Sequence, residues 1–187
     1  MLILKEIEDV LERFYNSGLF NRTLSHLIMK TEKGAFAFYE KLARYWSKHG
    51  LQMLAHSTKG LGEILLQFMR CEYGAEKEVL EQLLKLDLML LPKGVVRIAG
   101  LAWDGEQWGE EKTAFWRDES LVRRHFPEYK PLSWRELKKR YQMEEMAIDV
   151  GAYLANGKII MKKQMVIIEN DGNGGRLHIL PENKEEQ

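Results

Sequence analysis

Between Ala75 and Leu90 the chain carries LLKLDLMLL, a stretch of helical character that is apolar on nearly every side. Such a helix is stable only where other elements surround it, so it marks the centre of a core and not a surface. Pro92 and Gly94 stop it. The rest of the first half supplies what must surround it. Leu4, Ile7, Leu11 and Phe14 repeat at helical spacing, with Lys5, Glu6, Glu8, Asp9 and Glu12 on the other face. Asn16, Ser17 and Gly18 suit a stop, Gly18 in the left-handed conformation that ends many helices. Asn21 reads as the N-cap of a second helix with Leu24, Leu27 and Ile28 inward.

A third helix is expected from about Lys33 to His49. Ala35, Tyr39, Leu42, Ala43 and Trp46 form its stripe, and Phe36, Phe38 and Tyr45 widen it toward burial on two sides. Gly50 is placed to end it. Ser57 caps a fourth helix, whose inward face is Leu61, Ile64, Leu65, Phe68 and Met69, with Gly74 as its end.

Periodicity is poor from Val95 to Pro131, where Trp103, Trp108 and Trp116 stand among glycines and acids. Long loops are expected there, with a short helix from about Asp118 to Phe126. Ser133-Trp134-Arg135-Glu136 is a capping box that opens another short helix. Beyond it the period changes to two: Met146, Ile148, Val150 and Ala152 alternate with Ala147, Asp149, Gly151 and Tyr153. Asn156-Gly157 predicts a type I′ hairpin pairing Ala155 with Lys158, Ile148 with Met165 and Val150 with Lys163. A third strand, about Arg176 to Leu180, follows the turn Asp171–Gly175.

The expected fold class is therefore α+β: a mainly helical domain, about five core helices plus short ones, followed by a C-terminal antiparallel three-stranded β-meander. The expected organisation is one domain in three stretches. These are a helical core over 1–94, aromatic-rich loops and short helices over 95–141, and a β-meander packed on the helices over 142–181. Residues 182–187 read as a disordered tail.

Charge narrows the function classes. Lysine plus arginine equals aspartate plus glutamate at 28 each, so the whole chain gives no support to a dedicated binder of nucleic acid or anionic membrane. No apolar run approaches a membrane span, and no membrane partner is expected. The single cysteine, Cys71, cannot form an internal disulfide or hold a metal cluster alone. It reads as a packed thiol, and a reducing, cytoplasmic setting follows.

Catalytic motifs are not found, so catalytic, cofactor-binding and metal residues are all expected to be none. Asp171–Gly175 has the look of a calcium loop, but Arg176 stands where that loop needs glycine, so it reads as a hairpin turn. Gly60-Leu61-Gly62 lacks the third glycine and the preceding strand of a phosphate loop. Four residues remain as candidates for interaction. His56 precedes a helix N-terminus and is placed to touch an anion or partner. Arg123 and Arg124, with Lys138-Lys139-Arg140 and the aromatics Trp116, Phe126, Tyr129 and Trp134, raise an RNA- or nucleotide-binding module as the alternative function. Acidic neighbours, among them Glu106, Glu111 and Glu128, oppose it, and a solvated face over aromatic packing is the plainer account. Asn16 is the fourth, expected to bond the turn backbone while Tyr15 and Phe20 pack near Tyr39 and Trp46.

Tyr15-Asn16-Ser17-Gly18 with Phe20, then Phe38-Tyr39, Leu42, Trp46 and Gly50, then Leu83-Leu84-Lys85-Leu86-Asp87, and later Phe126-Pro127, together resemble one family. It is the domain of unknown function at the C-terminus of cobalamin-binding radical SAM proteins. The similarity runs from about Leu4 to Ile168, and Val95 to Trp116 departs from its pattern. The resemblance implies a parent enzyme with a [4Fe–4S] cluster, S-adenosylmethionine and cobalamin, and as partner the radical SAM barrel of the same polypeptide. This sequence has no CxxxCxxC and no Asp-x-His-x-x-Gly, so it is expected to be a C-terminal piece without radical chemistry and without a cofactor of its own. The resemblance implies an accessory domain that covers the barrel or positions substrate or partner.

Overall fold

A computed structural model describes residues 2–104, 109–170 and 175–180. Nine helices and one antiparallel sheet of order β1-β2-β3 are found among the described residues, so the α+β class and the C-terminal meander both hold. The chain divides into two compact units. One holds the residues up to Leu91 together with Val95–Leu101, and the other holds Pro92–Gly94 and the described residues from Ala102 on.

The first unit is helical: α1 (Leu2–Val10), α2 (Asn21–Lys30), α3 (Gly34–Lys48), α4 (Thr58–Glu72) and α5 (Lys77–Met89). Its centre is α5, as the apolar run requires: every residue from Leu83 to Met89 is buried. Helix α2 packs on α5 and α3, α4 on α5, and α1 on α3. Gly62 lets α4 approach closely, since a Cβ there would stand 3.4 Å from side-chain atoms of both Leu88 and Ile98.

Several local expectations are met and several are not. Gly18 and Gly50 have φ of 67° and 65°, and Ser57 Oγ accepts from Gly60 N at 3.1 Å. Ile7 and Val10 of α1 are buried together with Phe14 of the π-helical turn that follows, Leu11–Asn16, whereas Leu4 is exposed. In α3 the first turn projects into solvent, so Ala35 and Phe36 are exposed and only Phe38, Tyr39, Leu42, Ala43 and Trp46 are buried. Cys71 is exposed, not packed.

Asn21 is not the cap of α2. It is the first helical residue, and Phe20, which precedes it, makes no side-chain cap. The cap comes from across the fold. Asp87 Oδ2 accepts from Thr23 N at 2.9 Å and from Thr23 Oγ1 at 2.8 Å, while Oδ1 accepts from Arg22 N at 3.3 Å and from its guanidinium at 3.2 Å. A carboxylate at this end satisfies open amides and suits the helix dipole. Burial pushes the Asp87 carboxyl above its ordinary range, and the donors from Thr23 and Arg22 restrain that rise.

The second unit is built from α6 (Glu110–Arg117), α7 (Glu119–His125), α8 (Trp134–Arg140), β1 (Tyr141–Ile148), α9 (Val150–Asn156), β2 (Met161–Asn170) and β3 (Gly175–Ile179). Asp118 caps α7, and Ser133 and Glu136 form the expected capping box of α8. Helix α6 lies where only loop is expected. The predicted hairpin at Asn156-Gly157 is replaced by α9. Asp149 accepts from Ala152 N at 2.8 Å and the Gln164 side chain accepts from Val150 N at 3.0 Å, so the opening amides of a helix are satisfied. Only Gly157 has positive φ, at 72°, and it ends that helix, whereas a type I′ turn needs positive φ at both central residues. Register shifts accordingly: Ile148 pairs with Met161, and Met165 with Glu145. The third strand is as expected. Asp171–Gly174, Trp108, Glu106 and the tail over 182–187 lie outside the described residues.

Candidate functional site

Alternation along the three strands puts Tyr141, Met143, Ile167, Glu169, Arg176 and His178 on one face of the sheet. The register pairs Tyr141 with Glu169 and Glu169 with Arg176, and likewise Met143 with Ile167 and Ile167 with His178. Part of that face is covered. Phe115 and Trp116 of α6, Val122 of α7, then Phe126, Tyr129 and Leu137 form one buried cluster with Tyr141, Met143 and Ile167. Where the cover ends, a cleft of about 410 Å³ opens, reaching Glu169, Arg176 and His178 on the sheet and His125, Lys130 and Arg140 on the helical side.

Glu169 organises this cleft. Its Oε1 accepts from Arg140 Nε at 3.0 Å, from the Arg140 terminal nitrogen at 2.7 Å and from the Tyr141 hydroxyl at 3.2 Å. Its Oε2 accepts from His178 Nε2 at 3.0 Å. Burial alone would raise its carboxyl, but the bonds from Arg140 and His178 outweigh that and hold it below the ordinary carboxylate range. Burial, reinforced by the Glu169 charge, pushes the Tyr141 phenol up to about 12. Burial and the charges of Arg124 and His178 push His125 below the ordinary imidazole range. The result is a fixed anion, a neutral hydroxyl donor and a guanidinium in one hydrogen-bonded lattice.

The two basic triplets have a local cause. Arg123-Arg124-His125 and Lys138-Lys139-Arg140 are the last turns of α7 and α8, where positive charge complements the helix C-terminus. Arg123 is bound to Glu119 on its own helix at 2.6 Å, and Arg124 is exposed. Trp116, Phe126 and Tyr129 are buried in the cluster, and only Trp134 is partly displayed, at 41% exposure. His56 donates through Nε2 to the Leu51 carbonyl at 2.8 Å, with its ring 4.9 Å from Trp46. Asn16 does not bond the turn backbone. It is exposed and donates to Glu12 at 2.7 Å, because Ser17, which bonds the Phe14 carbonyl at 3.1 Å, already occupies that role. Asn16 and His56 thus belong to the helical unit, and Arg123 and Arg124 to the other.

Glu169, Tyr141 and His178 were not singled out from sequence. The available signal was strand alternation: Glu169 continues the inward row of Ile167, and a glutamate there must meet donors when buried.

A second buried ionic group sits on β1 and α6, where Lys112 donates to the Met143 carbonyl at 3.1 Å and pairs with Asp104. Fully buried Glu144 accepts from Asp104 N at 3.0 Å. No cluster of metal-ligating side chains and no helix long and apolar enough to cross a membrane occurs among the described residues. In comparison with known proteins, the family described as "Protein of unknown function (DUF4080)" matches residues 1–168. No curated protein and no solved structure matches the chain.

Proposed function

The chain belongs to the family of proteins of unknown function DUF4080, and from that membership we propose that it is a non-catalytic accessory domain, working in the cytoplasm beside the barrel of a cobalamin-dependent radical SAM protein. The radical SAM connection comes from the resemblance carried by Tyr15–Gly18, Phe38-Tyr39 and Leu83–Asp87. The observation that supports a holding role is the hydrogen-bonded lattice around Glu169, which accepts from Arg140, Tyr141 and His178. Glu169 lies below the ordinary carboxylate range and Tyr141 at about 12, so neither exchanges a proton near neutral pH. General acid–base work needs a group poised near the working pH. Fixed charges and a fixed hydroxyl donor are what positioning a substrate or partner needs.

Mixing the purified chain with a cluster-loaded, cobalamin-dependent radical SAM barrel from the same organism tests this. One-to-one association by analytical ultracentrifugation is expected, with no cobalamin or iron–sulfur absorbance acquired by the chain alone. Stoichiometric uptake of either cofactor by the chain, or no association with the barrel, overturns the reading.

A further inference from the structure

The cleft at the sheet end presents more positive charge than its own framework uses. Arg140 is engaged by Glu169. Arg176 and Lys130 also line the cleft, both are exposed, and neither forms an ion pair among the described residues. Among the described residues two carboxylates oppose these three cations: Glu169, which already accepts four hydrogen bonds, and the exposed Glu128. Apolar wall is supplied by Phe126, Pro127, Tyr129 and Leu132. A volume of about 410 Å³ lies within the range of small-molecule sites.

We propose that this cleft binds a small organic anion, a carboxylate or phosphate carried on a flat apolar body. Its charge is met by Arg176 and Lys130, and its body by Phe126 and Tyr129. The inference rests on the reading of the cleft as a holding site and names the ligand class. Glu169 takes part indirectly. By fixing Arg140 and His178 it keeps the cleft floor in one arrangement, so the ligand meets a preformed surface and little ordering opposes binding. Two cations without an ion pair among the described residues, set on a partly apolar wall, favour an anion whose body leaves water on binding, so an inorganic ion should gain less.

The test is calorimetric titration of the full chain with phenyl phosphate, benzoate, inorganic phosphate and phenol. The Tyr141 and His178 resonances are followed in parallel by NMR. At least one of the two organic anions should bind roughly tenfold more tightly than inorganic phosphate, with phenol weaker still, and binding should shift both resonances. The tighter of the two organic anions identifies the charged group. Arg176→Gln and Lys130→Gln should each weaken binding about tenfold, the scale of one charge-assisted hydrogen bond. Both sites are exposed, so far-UV circular dichroism should stay unchanged. Lys163→Gln, outside the lining and on a residue paired with Glu145 at 3.2 Å, should leave affinity unaltered. Inorganic phosphate binding as tightly as either organic anion, no binding by any anion, or equal losses in Lys163→Gln would overturn the proposal. Barrel association without anion binding removes the ligand class alone, and anion binding without barrel association removes the accessory role alone.

Discussion

Phe20→Ala is expected to destabilise the helical unit by about 3–5 kcal/mol, whereas Tyr15→Ala should cost less than about 1 kcal/mol. The two aromatics flank the same corner, but only one is inside. Phe20 is fully buried, its ring 6.0 Å from Phe14, which in turn meets Trp46 edge-on at 5.7 Å. Tyr15 touches Tyr39 at a centroid distance of 6.2 Å yet keeps 59% of its surface in water. Truncating Phe20 removes a whole ring from a packed cluster and leaves a cavity, and truncating Tyr15 exposes little that was dry. Urea unfolding followed by far-UV circular dichroism measures the contrast. Equal losses for the two variants would show that the corner is held together differently.

The second large effect is expected at Asp87. Asp87→Ala should cost about 3–5 kcal/mol, because it strips the N-terminus of α2 of its acceptor and leaves Arg22 and the buried Thr23 hydroxyl without their partner. Asp87→Asn should cost about 2 kcal/mol, since both carboxylate oxygens accept hydrogen bonds and an amide keeps only one acceptor. Hydrogen exchange locates the damage: the amides of Arg22 and Thr23 should lose protection in both variants. Unchanged protection there would mean that Asp87 is not what caps the helix.

These two sites explain what the sequence could and could not reveal. Ser57, Ser133, Gly18 and Gly50 were legible because a cap or a left-handed stop is a matter of three or four neighbouring residues. The all-round apolar run likewise announced α5 as the centre. The partner of Asp87 was not legible, because the bond to Thr23 spans 64 residues. What could have been read is that an aspartate inside such a helix must find donors. The same applies to Glu169, whose donors come from α8, β1 and β3 and converge only through strand register. At Asn156-Gly157 the local signal misled, because a turn-forming pair also ends a helix well, and Asp149 with Gln164 decided for the helix.

The residues that carry the family resemblance therefore serve mainly to build the helical unit. Phe20, Phe38, Tyr39, Leu42, Trp46 and Leu83–Asp87 are buried there, and Gly50 takes the left-handed turn. The candidate site lies in the other unit, on the sheet face beneath α6–α8.

A pH titration of the Glu169 side-chain carboxyl by carbon-13 NMR bears most directly on the proposal that the cleft positions and does not catalyse. A folded value below the unfolded one means that the lattice contributes stability above the unfolded value, near pH 4.3 for glutamate, and loses it as pH falls through the folded value. The expected result is a single transition below the ordinary glutamate range, with Arg140 and His178 still bound to the carboxylate at neutral pH. A transition at about pH 6 or above would make Glu169 a proton carrier and would contradict the holding role.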